Sequence, residues 1–138
     1  MRLSTRSRLA VDLMTSLAIH GARAVSLISL ANRHQISRGY AEGLVAQLRV
    51  GGLVTSFKGI TGGYCLARPP SAISVADIVL AVDDDAATDV LRAFAGVAVD
   101  DDHSAAMWRR LSEMTLRLLE GVSLRQLAQR EIEATGRL

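Results

Sequence analysis

Two short apolar stripes of helical period, separated by a tight gap and followed at once by a hairpin pattern, constrain this chain more than anything else in it. Leu27, Leu30, Ala31 and His34 recur at helical spacing behind Ser26, and Ala41, Leu44, Val45 and Leu48 recur behind Ser37. A serine oxygen accepts from the first free N–H groups of a helix, so each stripe reads as a capped helix. Only Gln35-Ile36 lies between the two helices, and Gly51-Gly52 stops the second. Leu53 to Lys58 (LVTSFK) is then rich in β-branched and aromatic residues, Gly59-Ile60-Thr61-Gly62-Gly63 is a turn, and Tyr64 to Ala67 (YCLA) returns. Helix, tight connection, helix and hairpin make a winged helix, whose second helix can lie in the major groove of DNA.

The flanking segments fit this centre. Leu9, Leu13 and Leu17, with Ala10 and Met14, form the stripe of a helix from about Ser4 to His20 that Gly21 ends. Arg68-Pro69-Pro70 closes the hairpin, and Ser74-Val75-Ala76-Asp77 opens a short helix to about Val82. Asp83 to Asp102 is acidic and alanine-rich; it is expected to be mobile, with one helical piece around Thr88 to Phe94. A long helix starts near His103, with Asp100, Asp101 and Asp102 at its positive end. Its stripe is Met107, Leu111, Met114 and Leu118, with Trp108 and Val122 adjoining, and either a partner surface or the monomer core must cover it. Ser123 to Gln126 caps a last helix with Leu124, Leu127 and Ala128 inward. The expected fold is mainly α with a small β-hairpin, a winged helix-turn-helix with a long C-terminal dimerisation helix. It divides into a DNA-binding domain over 1–83, an acidic segment over 84–102, and the dimerisation and C-terminal helices over 103–138.

A chain of 138 residues that is 49% hydrophobic can bury a core of its own. Its apolar runs fall far short of the ~20 residues a membrane span needs. Cys65 is the single cysteine, which excludes an internal disulfide or a CxxC motif and fits a reducing, cytoplasmic setting. The net charge of +2 conceals a split: residues 1–70 hold nine basic and two acidic groups, a net +7, and the remainder nets −5. Such asymmetry suits a polyanion partner. Arg2, Arg6, Arg8, Arg38, Arg49 and Lys58 are the candidate phosphate anchors. Catalysis finds no support. Asp102-His103-Ser104 are consecutive on a helix, about 100° apart, and cannot form a hydrogen-bonded triad. Gly59, Gly62 and Gly63 belong to a hairpin rather than to a phosphate-binding loop.

With Ala41, Leu44, Val45 and Leu48 facing inward, the outer face of the third helix holds Gly39, Gly43, Ala46 and Val50 and is nearly bare. Tyr40, Glu42 and Gln47 flank it and carry the polar groups placed to reach base edges. Each interior glycine costs about 1 kcal/mol of helix stability relative to alanine. Cys65 reads as a small packed side chain, and His34, on an apolar position, as structural.

The segments MRLSTRSRLAVDLM, LANRHQISRGYAEGLVAQLRVGGLV, KGITGGYCLARPPSAISVADIVLAVD and MWRRLSE closely resemble the Rrf-two family of bacterial transcription regulators, over nearly the whole chain. The resemblance implies a homodimer joined through the long helices, here Met107, Trp108, Leu111, Met114 and Leu118, with recognition helices in successive major grooves of double-stranded DNA. It implies base or backbone contacts at the positions of Gly39, Tyr40, Glu42 and Gly43, with polar side chains in relatives at the two glycine sites, and DNA proximity for Arg2 and Lys58. Lys58 stands where an arginine often enters the minor groove; lysine gives charge without a guanidinium fork. Cluster-binding members carry three cysteines between the fourth and the long helix and a further ligand three residues before the tryptophan, where this chain has Ala105. Thiolates hold iron-sulfur clusters, so the expectation is a sequence-specific repressor without cofactor or metal. The competing readings are an iron-sulfur sensor with atypical His or Cys ligands, and a winged-helix protein-interaction module that no longer binds specific DNA.

Overall fold

The computed structural model describes residues 4–84 and 103–136. Arg2, the expected mobility of the acidic segment and its helical piece around Thr88 to Phe94 lie outside the described residues.

Local chemistry sets the elements. α1 (Thr5–His20), α2 (Leu27–Arg33) and α3 (Arg38–Val50) start at Ser4, Ser26 and Ser37, whose side chains accept from the N–H of Ser7, Ser29 and Tyr40. α2 is a residue shorter than its stripe, and His34 is its C-cap rather than an interior position. β1 (Val54–Phe57) pairs antiparallel with β2 (Gly63–Leu66), in register from Val54 opposite Leu66 to Phe57 opposite Gly63. Gly63 thus belongs to the strand and not to the turn. Its φ of 153° and its closeness to Val25, whose carbonyl a Cβ would strike, leave glycine as the residue that fits. There the hairpin is tied to the α1–α2 connection. Val25 N–H donates to Tyr64 O at 2.9 Å, and Tyr64 N–H to Val25 O at 2.8 Å.

A 3-10 turn at Pro70–Ala72 leads to α4 (Val75–Val82), opened by a reciprocal capping box between Ser74 and Asp77. α5 (His103–Glu120) and α6 (Leu124–Thr135) follow, the latter with a capping box between Ser123 and Gln126.

Leu13, Met14 and Leu17 of α1 share one fully buried core with Leu30, Leu44, Leu48, Leu53, Ile78 and Leu124. Burying each such side chain contributes roughly 1.5–3 kcal/mol before entropy is counted. α6 enters this core because backbone bonds lock its start to the segment before α4: Leu124 N–H donates to Ile73 O at 2.8 Å, and Val75 N–H to Val122 O at 2.9 Å. α5 turns Leu116 inward, and Leu119 packs on Val75 and Val79. Its stripe points the other way. Met107, Leu111, Met114 and Leu118 are exposed, so the monomer core is not what covers them. The Trp108 side chain lies outside the described residues. Among the described residues no helix is long and apolar enough to cross a membrane.

Candidate nucleic-acid interface

α3 presents the surface that its sequence anticipates except at Gly43, which is half-buried beside Arg6. Ala41, Leu44, Val45 and Leu48 are buried, while Gly39, Glu42, Ala46 and Val50 are exposed. Arg38 and Arg49 are exposed at its two ends, and Lys58 is exposed directly after β1. Arg49 Nη1 donates to Ser56 Oγ of the wing at 3.4 Å, linking recognition helix and hairpin at the surface. At the wing tip Phe57 and Ile60 are exposed too.

Arg6 differs from a free surface cation. It is half-buried between α1, α3 and the end of α4. Its Nε donates to Gln47 Oε1 at 3.0 Å and to Val82 O at 3.3 Å, its Nη2 also donates to Gln47 Oε1, and its guanidinium lies 5.4 Å from the centre of the Tyr40 ring. Gln47 is correspondingly half-buried rather than a freely projecting amide. Nothing in local sequence periodicity pairs residues 6 and 47; the packing of α1 and α3 on α4 brings them together. Arg8 is exposed on the far side of α1, beside a groove of about 350 Å³ lined by Val11, Val75, Val79 and Leu119, and does not join the α3 surface. Two further cations of the basic half are matched elsewhere: Arg33 lies 3.9 Å from Glu131, and Arg68 lies 4.0 Å from Asp77. The +7 of the first half is therefore only partly available on the α3 side.

Beneath Arg6, the α1 N-terminus is fastened to the end of α4. Ser4 Oγ and Ser7 Oγ donate to the buried Asp83 carboxylate at 3.0 and 3.1 Å. On the other side of α1, Ser16 Oγ and His34 Nε2 are 3.0 Å apart, which gives His34 the structural role expected of it. Burial holds its imidazole below the ordinary value of 6.5; Asp12 and Glu131 oppose that shift and Arg33 adds to it.

Residues 3–130 match the model of the Rrf2 (Rrf-two) family, described as an iron-dependent transcriptional regulator. The chain belongs to the Rrf2 family. It is 35% identical to the HTH-type transcriptional regulator IscR of Photorhabdus laumondii, over 99% of this chain and 86% of that protein. The structure of IscR from T. potens superposes with a TM-score of 0.79 at 31% identity, covering 97% of this chain and 90% of that one. CymR of B. subtilis, titled the global cysteine regulator, superposes with a TM-score of 0.77 at 30% identity, covering 94% and 98%. This Rrf2 protein is thus a winged-helix, DNA-binding transcription regulator rather than an enzyme.

The family description invites a test of whether the residues present suit iron. Cys65 is the sole cysteine of the sequence. It is buried in β2, where its Sγ donates to Ala22 O at 3.5 Å, and so is the small packed side chain anticipated. Among the described residues no group of three or more His, Cys, Asp or Glu could hold a metal ion. A donor set with one buried thiol does not fit a cysteine-ligated cluster.

Proposed function

We propose that this Rrf2 protein is a cytoplasmic, homodimeric repressor that binds operator DNA through α3 and the wing and does so without a conventional iron-sulfur cluster. The uncovered outer face of α3, bracketed by Arg38, Arg49 and Lys58, carries the reading. Those three cations would neutralise phosphates on either side of a major groove, while Tyr40, Glu42 and Gln47 bear on base edges and the exposed Gly39 lets the backbone approach. Arg2 would extend the phosphate contacts. Arg6 is set aside as an anchor, and Arg8 would reach DNA only from another side of the molecule.

The exposed Met107, Leu111, Met114 and Leu118 follow a 4-3-4 spacing, the seam on which two helices pack. Paired through this seam, together with Trp108, two copies would read half-sites about 10 base pairs apart or a multiple of that. In this reading residues 1–83 bind DNA, 84–102 occupy the place of the relatives' sensor segment, and 103–138 pair the subunits.

The deciding experiment is a titration with duplex DNA of arbitrary sequence at two salt concentrations. Binding that weakens steeply with salt supports a regulator; no binding at low salt means a protein-interaction module instead. An absorption spectrum of anaerobically purified protein should be colourless above the protein bands. A coloured spectrum that fades in air would replace the cluster-free reading with a sensor using atypical ligands.

A further inference from the structure

Gly43 lies on the flank of α3 that Arg6 crosses. A Cβ built there would stand 4.0 Å from Arg6 Nη2, so the guanidinium covers the place a side chain at position 43 would leave by. Gln47 sits one turn further along the same flank, and Tyr40 one turn before it. Arg6 lies over all three.

The chemistry of this contact fixes which way round the Gln47 amide points. Arginine has donors only, so the atom that meets Arg6 must be the carbonyl oxygen Oε1, and both Nε and Nη2 of Arg6 donate to it. Among the described residues Gln47 Nε2 and Arg6 Nη1 have no hydrogen-bond partner, and neither is a buried unsatisfied atom. Both therefore face solvent. The polar groups that the Arg6–Gln47 pair leaves without a partner are thus N–H donors, with no acceptor among them.

Resting on the DNA-binding reading above, we infer that Arg6 and Gln47 act as one composite reading unit, in place of the side chain that Gly43 lacks, and that it selects guanine at one major-groove position. Guanine presents two adjacent acceptors there, O6 and N7, whereas adenine pairs its N7 with an N6 donor. A lone glutamine reads adenine by offering both an acceptor and a donor. With Oε1 occupied by Arg6, this glutamine has lost the acceptor half of that pattern.

Enrichment of bound duplexes from a random library, followed by affinity measurement on single-base variants of the winning site, tests the assignment. The wild-type protein is expected to prefer guanine over adenine by about tenfold at one position in each half-site. Arg6→Ala frees Oε1 and should turn that preference to adenine. Gly43→Gln fills the place beside Arg6 and should abolish the guanine preference, whereas Gly43→Ala, whose methyl group meets Arg6 at ordinary contact distance, should retain it. If Arg6→Ala does not fold, as read by circular dichroism, Gln47→Ala decides. A base profile identical to wild type in either variant overturns the composite unit while leaving DNA binding intact. A wild-type protein that binds no duplex overturns the DNA reading and this inference together.

Discussion

α3 and α5 carry apolar stripes of the same period, yet they are met differently. Ala41, Leu44, Val45 and Leu48 of α3 are all buried, whereas Met107, Leu111, Met114 and Leu118 of α5 are 53, 42, 54 and 72% exposed. The α3 stripe is covered within the same chain, where α2, α4 and β1 pack against α3 and α1 shares the same core. The α5 stripe is left over because α5 uses a different side, Leu116 and Leu119, to rest on its own subunit. A stripe states which face must leave water; it does not state which chain will cover it.

This contrast breaks first at Leu48. Leu48→Ala should cost about 2–5 kcal/mol in urea unfolding, through lost burial and the cavity left behind, and the loss should not depend on protein concentration. A cost near zero would mean that the winged core is looser than its burial implies. On α5 the expectation reverses. Leu111→Glu combined with Met114→Glu should weaken self-association by roughly a hundredfold in sedimentation, with helical content unchanged, because a charge in an apolar seam is left unpaired. Unaltered association in that variant would take the seam away from dimerisation.

Effects at the DNA surface should be smaller. Lys58→Ala removes one phosphate contact in each subunit. It should weaken all duplexes by a similar factor of a few, and the loss of two contacts per dimer should lower the slope of log affinity against log salt by about 1.8. Glu42→Ala should instead alter the preferred site while leaving that slope in place. Equal behaviour of the two variants would erase the distinction between anchoring at the wing and reading on α3.

His34 gives the smallest effect, inside the well-packed half. Its pKa is lowered in the folded state, so the unfolded chain takes up a proton first as pH falls. The stability this confers is complete above the ordinary value of 6.5 and is lost as pH drops through that value toward the lower native one. Melting temperature should therefore fall across that window, and His34→Gln should flatten this part of the pH dependence. Ser16→Ala removes the hydroxyl beside the ring and so probes the same site by a second route.

Much of the fold was legible because its signals are local. Serine caps at positions 4, 26, 37, 74 and 123 and apolar spacing each act within a few residues, and the helices begin where those serines place them. The hairpin was legible for the same reason, but its bridge to Val25 was not, since that bond joins residues 39 positions apart. The interface divided in the same way. Glu42, Arg38, Arg49 and Lys58 lie on the surface where helical projection and the turn put them. Arg6 and Gln47, read singly as a phosphate anchor and a base-reading amide, turn out to be joined to each other. Gly43 lies within reach of that same arginine, a contact between residues 37 positions apart.

The amino-acid order alone settled where the capped helices among the described residues begin, the presence of a wing, and which faces are apolar, since backbone capping and periodicity depend on near neighbours. Only the packed chain decided that Arg6 would cross onto α3, that Arg8 would turn away from it, and that the α5 stripe would be left uncovered. Those outcomes depend on how helices cross, and a crossing brings together residues whose separation along the chain carries no trace of the meeting.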